Sequence, residues 1–322
     1  MRKTIPLAVG LFLLFFSTLA AAEDVDVLFN KAMDHLLRKG YMGDTSPAVR
    51  YLQAVLEKQP DHLEALWQLI SIQVASLRNT PLSGRSTGLL VVAPVFDHFE
   101  KLARQANELA FLHYATAYYA DYYGAYERAL SEIDKALALE PQSPRYLMTK
   151  GKLMVRYGEA TRQDAQIEKG ILVLRKAREL SKTHPNPYSL PADYDFQLAS
   201  AVSDLSQPRY EEVVKHYLNF LEQSEESVLY AFAWNNVSIA FRELGQCDKA
   251  KESAENALKV REFGNAEKNK RYAEFCLEMQ SMGIMEIGAE EGPDLTVLAS
   301  KSADATTGKS DSTEREPPPM AP

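Results

Sequence analysis

Residues 124–141 read GAYERALSEIDKALALEP, and the spacing inside them decides the fold. Ala129, Ile133 and Ala136 stand at i, i+4 and i+7, so on a helix they form a single stripe. The small side chains at either end of that stripe let a neighbouring helix approach closely. Pro141 then stops the helix, because it cannot continue the hydrogen-bond ladder. The segment supports a partner helix and carries no chemistry of its own.

The same small–apolar–small order returns along the chain, and internal repeats govern the reading of everything else. Aligned on Pro60 and Pro141, Ala48 and Val55 of PAVRYLQAVLEKQPD (47–61) fall opposite Ala129 and Ala136. DKAKESAENALKVREF (248–263) repeats the spacing with Ala250 and Ala257, and EKGILVLRKARELSK (168–182) with Gly170 and Ala177. Each stripe is half of a helical hairpin. Its other half lies upstream, in LAFLHYATAYYADYYG (109–124), RYLMTKGKLMVRYG (145–158) and AFAWNNVSIAFRELG (231–245). Gly124, Gly158 and Gly245 end these segments where a helix is expected to close in a left-handed turn.

The pattern resembles the tetratricopeptide (TPR) family, whose 34-residue unit carries W-x-x-L-G-x-x-Y, then A-x-x-x-F, then A and P. The fullest match sets Trp234, Val237, Ser238 and Phe241 in a first helix and Ala250, Ala254 and Ala257 in a second. Another has His113, Thr116, Ala117 and Ala120, then Tyr126, Ala129, Ile133, Ala136 and Pro141. A third runs Leu147, Lys150, Gly151 and Met154, an insertion at 159–166, then Gly170, Leu174 and Ala177. Degenerate copies lie at 29–60 and about 194–223, where Tyr210, Val213, Tyr217 and Phe220 keep the stripe.

The resemblance implies an all-α, TPR-like helical-hairpin solenoid of about five or six hairpins over residues 23–282. Two stretches make it irregular. RNTPLSGRSTGLLVVAP, near 78–94, and SKTHPNPYSLPADY, 181–194, are rich in proline and turn-formers and are expected as loops. A last helix at about 265–282 is expected as the C-terminal cap that a stacked array requires. Residues 283–322 have few large apolar side chains and many Ser, Thr, Asp, Glu and Pro, the composition of a disordered tail.

At the other end, MRKTIPLAVGLFLLFFSTLAAAED has two basic residues, an apolar run from Leu7 to Phe16 and an Ala20-Ala21-Ala22 cleavage site. That is the layout of a signal peptide over 1–22, too short in its apolar part for a membrane anchor. The protein is therefore expected to be exported, periplasmic or extracellular, and not membrane-spanning after cleavage. The formal charge is −8 for the whole chain and −10 once Arg2 and Lys3 leave with the leader. So acidic a protein lacks the basic footprint that holds phosphate backbones, and nucleic acid is not expected as a partner. Cys247 and Cys276 could join as a disulfide across the last hairpin or remain as two buried thiols.

No catalytic constellation stands out. His35, His62, His98, His113, His184 and His216 show no metal-pair spacing, and His113 is expected as a packed core imidazole. SGRSTG at 83–88 lacks the phosphate-loop lysine and a preceding strand, and reads as a flexible loop. The Asn236-Val237-Ser238 sequon falls inside a packed helix. Neither an enzyme activity, nor a cofactor, nor a metal is expected.

What remains is a surface. In TPR-like arrays the first helix of each hairpin lines the concave side, so its outward residues are the binding candidates. Tyr114, Tyr118 and Tyr122 share a face at i, i+4 and i+8, with Phe111 and Asp121 beside them. Arg145, Lys152 and Arg156 would follow on the next hairpin, Phe232, Asn235 and Arg242 further along, and Trp67 would begin the wall. An aromatic ladder beside basic residues suits a peptide with apolar anchors and a carboxylate. Aromatic stripes at this spacing also serve as core. The expected function is a scaffold or assembly factor in the cell envelope that binds a protein or peptide. The alternative is an accessory subunit of a transporter or envelope polymer machine, capturing a small ligand in a pore lined by Tyr118, Tyr122 and Trp67. Self-association is the third possibility, because an open end of the array can stack on itself.

Overall fold

The computed structural model describes residues 23–39, 44–78, 82–186, 189–224, 228–261 and 264–284. The expected leader and, apart from residues 283 and 284, the expected tail lie outside them. Among the described residues there are thirteen helices and no strand. They are α1 (Val25–Lys39), α2 (Ser46–Lys58), α3 (Leu63–Arg78), α4 (Leu82–Gln105), α5 (Leu109–Tyr122), α6 (Tyr126–Leu139) and α7 (Pro144–Thr161), followed by α8 (Asp164–Ser181), α9 (Pro191–Ser203), α10 (Tyr210–Gln223), α11 (Val228–Glu243), α12 (Cys247–Val260) and α13 (Gly264–Ser281). None of them is long and apolar enough to cross a membrane.

The chain forms two compact units, which part inside α7 between Leu153 and Met154. In the first, α1 packs on α2, α3 on α4 and α5 on α6; in the second, α8 packs on α9, α9 on α10, α11 on α12 and α12 on α13. These are antiparallel helical hairpins, as the repeat spacing implies. The stripes face inward throughout. Ala48, Leu52 and Val55, then Ala129, Ile133 and Ala136, then Ala250, Ala254 and Ala257, are all fully buried. Leu174 and Ala177 with Gly170, and Val213, Tyr217 and Phe220, do the same on α8 and α10. Burying such a side chain contributes about 1.5–3 kcal/mol where it is large and removes little area where it is Ala. The Ala positions instead buy closeness between helices.

Four corners use one backbone device. Gly124 and Gly245 have φ of 71° and 70°, and Asn107 and Arg162 have φ of 58° and 55°. Beyond each, an amide reaches back to the last turn: Glu108 N to Ala103 O, Ala125 N to Ala120 O, Gln163 N to Gly158 O and Gln246 N to Phe241 O, at 2.8–3.0 Å. This satisfies a carbonyl that the helix end would leave orphaned. The expectation for Gly158 needs correction. α7 continues to Thr161, and the left-handed residue is Arg162. Gly158 is there for contact: a Cβ on it would lie 2.6 Å from Ile167 Cγ1 and 2.9 Å from the Ile167 amide nitrogen.

Residues 78–94 are a second correction, since residues 82–94 are helical and belong to α4, with Pro94 inside it. The SGRSTG run lies on the same helix. A proline in a helix interior costs about 3 kcal/mol. Here Val92, Phe96, Phe99 and Ala103 bury a stripe at helical spacing, while Pro94 stays exposed. Burial of that stripe outweighs the local preference. The second expected loop holds over 182–186 and at 189 and 190, but residues 191–194 form the first turn of α9, with Pro191 at its start and Asp193 Oδ2 accepting the Leu190 amide at 2.9 Å.

At the end of the second unit, α13 lays Ala266, Ala273 and Cys276 inward. Cys276 is bonded to Cys247 at the start of α12, with Cα atoms 5.7 Å apart, inside the usual disulfide range. The covalent tie adds to the packing of the terminal helix.

Candidate functional site

In the first unit the expected aromatic wall is interior. Trp67 is 1% exposed. Around it stand Tyr114 and Tyr118, both with centroids at 5.2 Å, and Phe99 and Phe111, both at 6.2 Å. Tyr114 stacks on Tyr146 at 5.2 Å. Phe111, Tyr114, Asp121 and Tyr122 are buried, and Tyr118 is half-buried. The three tyrosines do share a face, and that face turns toward α3. Edge-to-face rings hold one another at their preferred separations.

Arg145 is likewise committed. Its guanidinium donates to Glu64 at 2.9 Å and 3.3 Å and lies 4.5 Å from the Tyr114 ring centroid and 5.0 Å from that of Phe111. Both side chains of the ion pair are nearly buried, at 13% and 12% exposure. A fork–fork pair capped by two ring faces is a structural tie. Arg145 therefore does not present its charge to a peptide carboxylate. Lys152 and Arg156 are half-buried. His113, expected as a core imidazole, is half-buried and bonds Glu132 across the α5–α6 hairpin at 2.7 Å.

Of the candidates in the second unit, Asn235 is buried and bonds Asn269 of α13 at 2.9 Å and its neighbour Asn236 at 3.3 Å. The terminal helix covers it. Arg242 lies over the Tyr272 ring at 5.3 Å and pairs with Glu243 at 2.6 Å, and Phe232 is half-buried. The sequon is locked into the packing, with Asn236 donating to Tyr217 Oη at 2.8 Å and Ser238 donating to the Ala250 carbonyl at 2.7 Å.

The structure instead assembles a charged cleft on α8, α9 and α10, an open depression of about 550 Å³. Behind two of its lining residues, His216 and Arg178, lies Asp195, whose side chain is 2% exposed. One carboxylate oxygen bonds His216 Nδ1 at 2.7 Å, and the other accepts from Arg178 Nε at 2.9 Å. Burial pushes the Asp195 carboxyl upward, but the bonds from His216 and Arg178 and their charges together outweigh it and hold it below the ordinary value. The other ring nitrogen of His216 is 3.7 Å from Glu212. Glu212 is bonded by Arg175 and by Arg209, the latter at 2.8 Å, and Arg209 also pairs with Glu168. Burial raises the Glu212 carboxyl too, and the two arginines bring it below normal.

Leu198 is fully buried behind the cleft wall, and Lys215 and Glu211 stand exposed on α10. Neither of those two has an ion pair among the described residues. The side chains lining the cleft include no hydroxyl or thiol. The Asp195 carboxylate thus fixes the orientation of the His216 imidazole at a cleft whose lining is mostly charged. Among the described residues no three His, Cys, Asp or Glu side chains are placed to hold a metal ion.

Sequence reading passed over Asp195, His216 and Arg178. One signal was available. Asp195 sits in the stripe Ala192, Asp195, Leu198, Val202, where apolar residues belong, and a carboxylate in such a place needs partners from elsewhere.

No protein-family model matches the chain, and no curated protein matches it. Among solved structures it is similar to the Cut9–Hcn1 hetero-tetramer of the APC/C, at 14% identity and a TM-score of 0.42 over 90% of this chain and 54% of that one. It is also similar to yeast Tom70, at 11% identity and a TM-score of 0.40 over 90% of this chain and 69% of that one. The chain thus spans about half the length of the first.

Proposed function

We propose that this chain is an exported, non-catalytic helical-hairpin protein that binds a protein or peptide partner, serving as a scaffold or assembly factor in the cell envelope. The observation that carries the reading is the cleft on α8, α9 and α10. Its inner charges are neutralised and fixed by one another, while Lys215 and Glu211 offer opposite charges at its exposed edge. Preorganised side chains lose little freedom on binding, and mixed charge in an open cleft suits a polypeptide with charges of both signs. The leader sequence and the Cys247–Cys276 disulfide support an oxidising compartment. The small-ligand alternative rested on a pore at Tyr118, Tyr122 and Trp67; with Trp67 and Tyr122 buried and Tyr118 against the Trp67 ring, nothing favours it.

The test is photo-crosslinking in the native envelope, with the crosslinking residue at position 215 and, as control, at the exposed Leu139 of the first unit. A discrete adduct from 215 that is absent from 139 and competed away by unlabelled protein is the expected result. Lys215→Glu with Glu211→Lys, on exposed sites, is expected to abolish it without altering the melting curve. Equal adducts from both positions, or none from 215, would remove the cleft as the binding site.

A further inference from the structure

We propose that the outer face of α13 docks on the same face of a second copy of this chain, the two helices antiparallel and crossing at Phe275. Half of the exposed large apolar side chains among the described residues lie on or just after this one helix: Tyr272, Phe275, Met282 and Ile284, at 44%, 58%, 54% and 63% exposure. At about 100° per residue, Phe275 and Met282 fall on one side of the helix, opposite the buried Ala266 and Ala273, while Tyr272 stands at the edge, one turn before Cys276 and under the Arg242 guanidinium. The inner face is tied down by packing and by the disulfide. On the outer face Phe275 and Met282 stand exposed among charged side chains.

The order of charge along that face identifies the occupant. Lys268 and Arg271 precede Phe275, and Glu278 follows it, all exposed. Arg271 is four residues before the ring and Glu278 three after it. Turned by a half-rotation about Phe275, a second α13 brings its Glu278 opposite Arg271 and its Arg271 opposite Glu278. The patch is therefore complementary to itself, the requirement of a two-fold interface. Its own pairing is slack: Arg271 reaches Glu267 only at 4.0 Å with both side chains largely exposed, and Glu278 has no ion pair among the described residues. Charged groups at the rim set register, while Phe275 and its neighbours supply the buried centre. Few side chains take part, so the dimer is weak and fills on the order of 10–100 µM, since a standard interface buries about 800 Å² on each partner.

Sedimentation velocity of the purified protein from about 1 to 300 µM tests this. The expected result is a reversible, concentration-dependent shift from monomer to dimer. Phe275→Asp is expected to weaken it at least about tenfold. Arg271→Glu or Glu278→Arg alone sets like charges face to face and weakens it as well, whereas the two together restore it, because both pairs reverse sign. A monomer at every concentration overturns the proposal, whether the face is then bare or taken by another protein. So does a dimer indifferent to Phe275→Asp, or a double exchange that fails to restore association. Should Phe275→Asp lose helicity by circular dichroism, the charge exchange decides alone, because it touches no buried side chain.

Discussion

Each unit buries one carboxylate against one guanidinium, and the two differ in which partner lies deeper. In the first unit Arg145 and Glu64 are covered about equally, and ring faces of Phe111 and Tyr114 close over the cation. In the second, Asp195 is 2% exposed while Arg178 is 27% exposed. The consequence is visible at the surface. Rings consume the first unit's side chains in packing, whereas a deep carboxylate in the second holds an arginine and a histidine with their outer edges at a cleft. The same hairpin scaffold thus yields a filled interior in one place and a charged recess in the other.

The sharpest way to break that contrast is Trp67→Ala. A tryptophan with four rings around it is core, and truncating one costs about 3–5 kcal/mol. Urea unfolding should show this loss and show it unchanged between pH 5 and 8, because apolar packing does not titrate. A loss near zero would return the rings to the surface and restore the groove.

Asp195→Ala addresses the other region. It strands His216 and Arg178 at the cleft, and removing one partner of a buried pair costs about 3–5 kcal/mol. Water reaches Arg178, so about 2–3 kcal/mol is expected here. The sign with pH follows from its carboxyl being held low. Its contribution is present above the unfolded value of about 3.9 and is lost as pH falls through the lower folded value. The gap between parent and variant should therefore be constant from pH 5 to 8 and shrink below about pH 4. A gap that persists undiminished into acid would mean that Asp195 acts by packing alone.

How much of this was legible beforehand depends on whether the deciding information is local. The stripes at Ala129, Ile133 and Ala136 and their copies were legible, because a small–large–small order at helical spacing admits little else. Pro94 was misread, since its local effect is strong and the burial of Phe96 and Phe99 that overrides it comes from other helices. Tyr114, Tyr118 and Tyr122 were correctly placed on one face. Nothing in their spacing says whether the face looks inward, which depends on Trp67 of α3 and, for Tyr114, on Tyr146 of α7. The cleft was missed altogether, because Asp195 and His216 come from different helices, and only the acidic residue within an apolar stripe hinted at it.

A smaller effect tests whether charge burial in the second unit has a direction. Burial, and after it the negative charge of Glu159, pushes the Asp204 carboxyl up to about 7. Nearby Tyr217 is pushed to about 12, first by burial, so no cation relieves the acid from that side. An acid whose folded pKa exceeds its unfolded one contributes stability below about pH 4 and loses it as pH rises toward 7. That is the reverse of Asp195. Asp204→Asn stays neutral, so it should leave stability at pH 5 little changed and raise it at pH 8 by about 1–2 kcal/mol, a figure reduced for the solvent that reaches the site. Urea midpoints at the two pH values give the answer. If the variant gains nothing at pH 8, the Asp204 carboxylate is already solvated and the second unit's pH response rests on Asp195; if it gains, two carboxylates in one unit pull stability in opposite directions across the range where the first unit's ring core is indifferent.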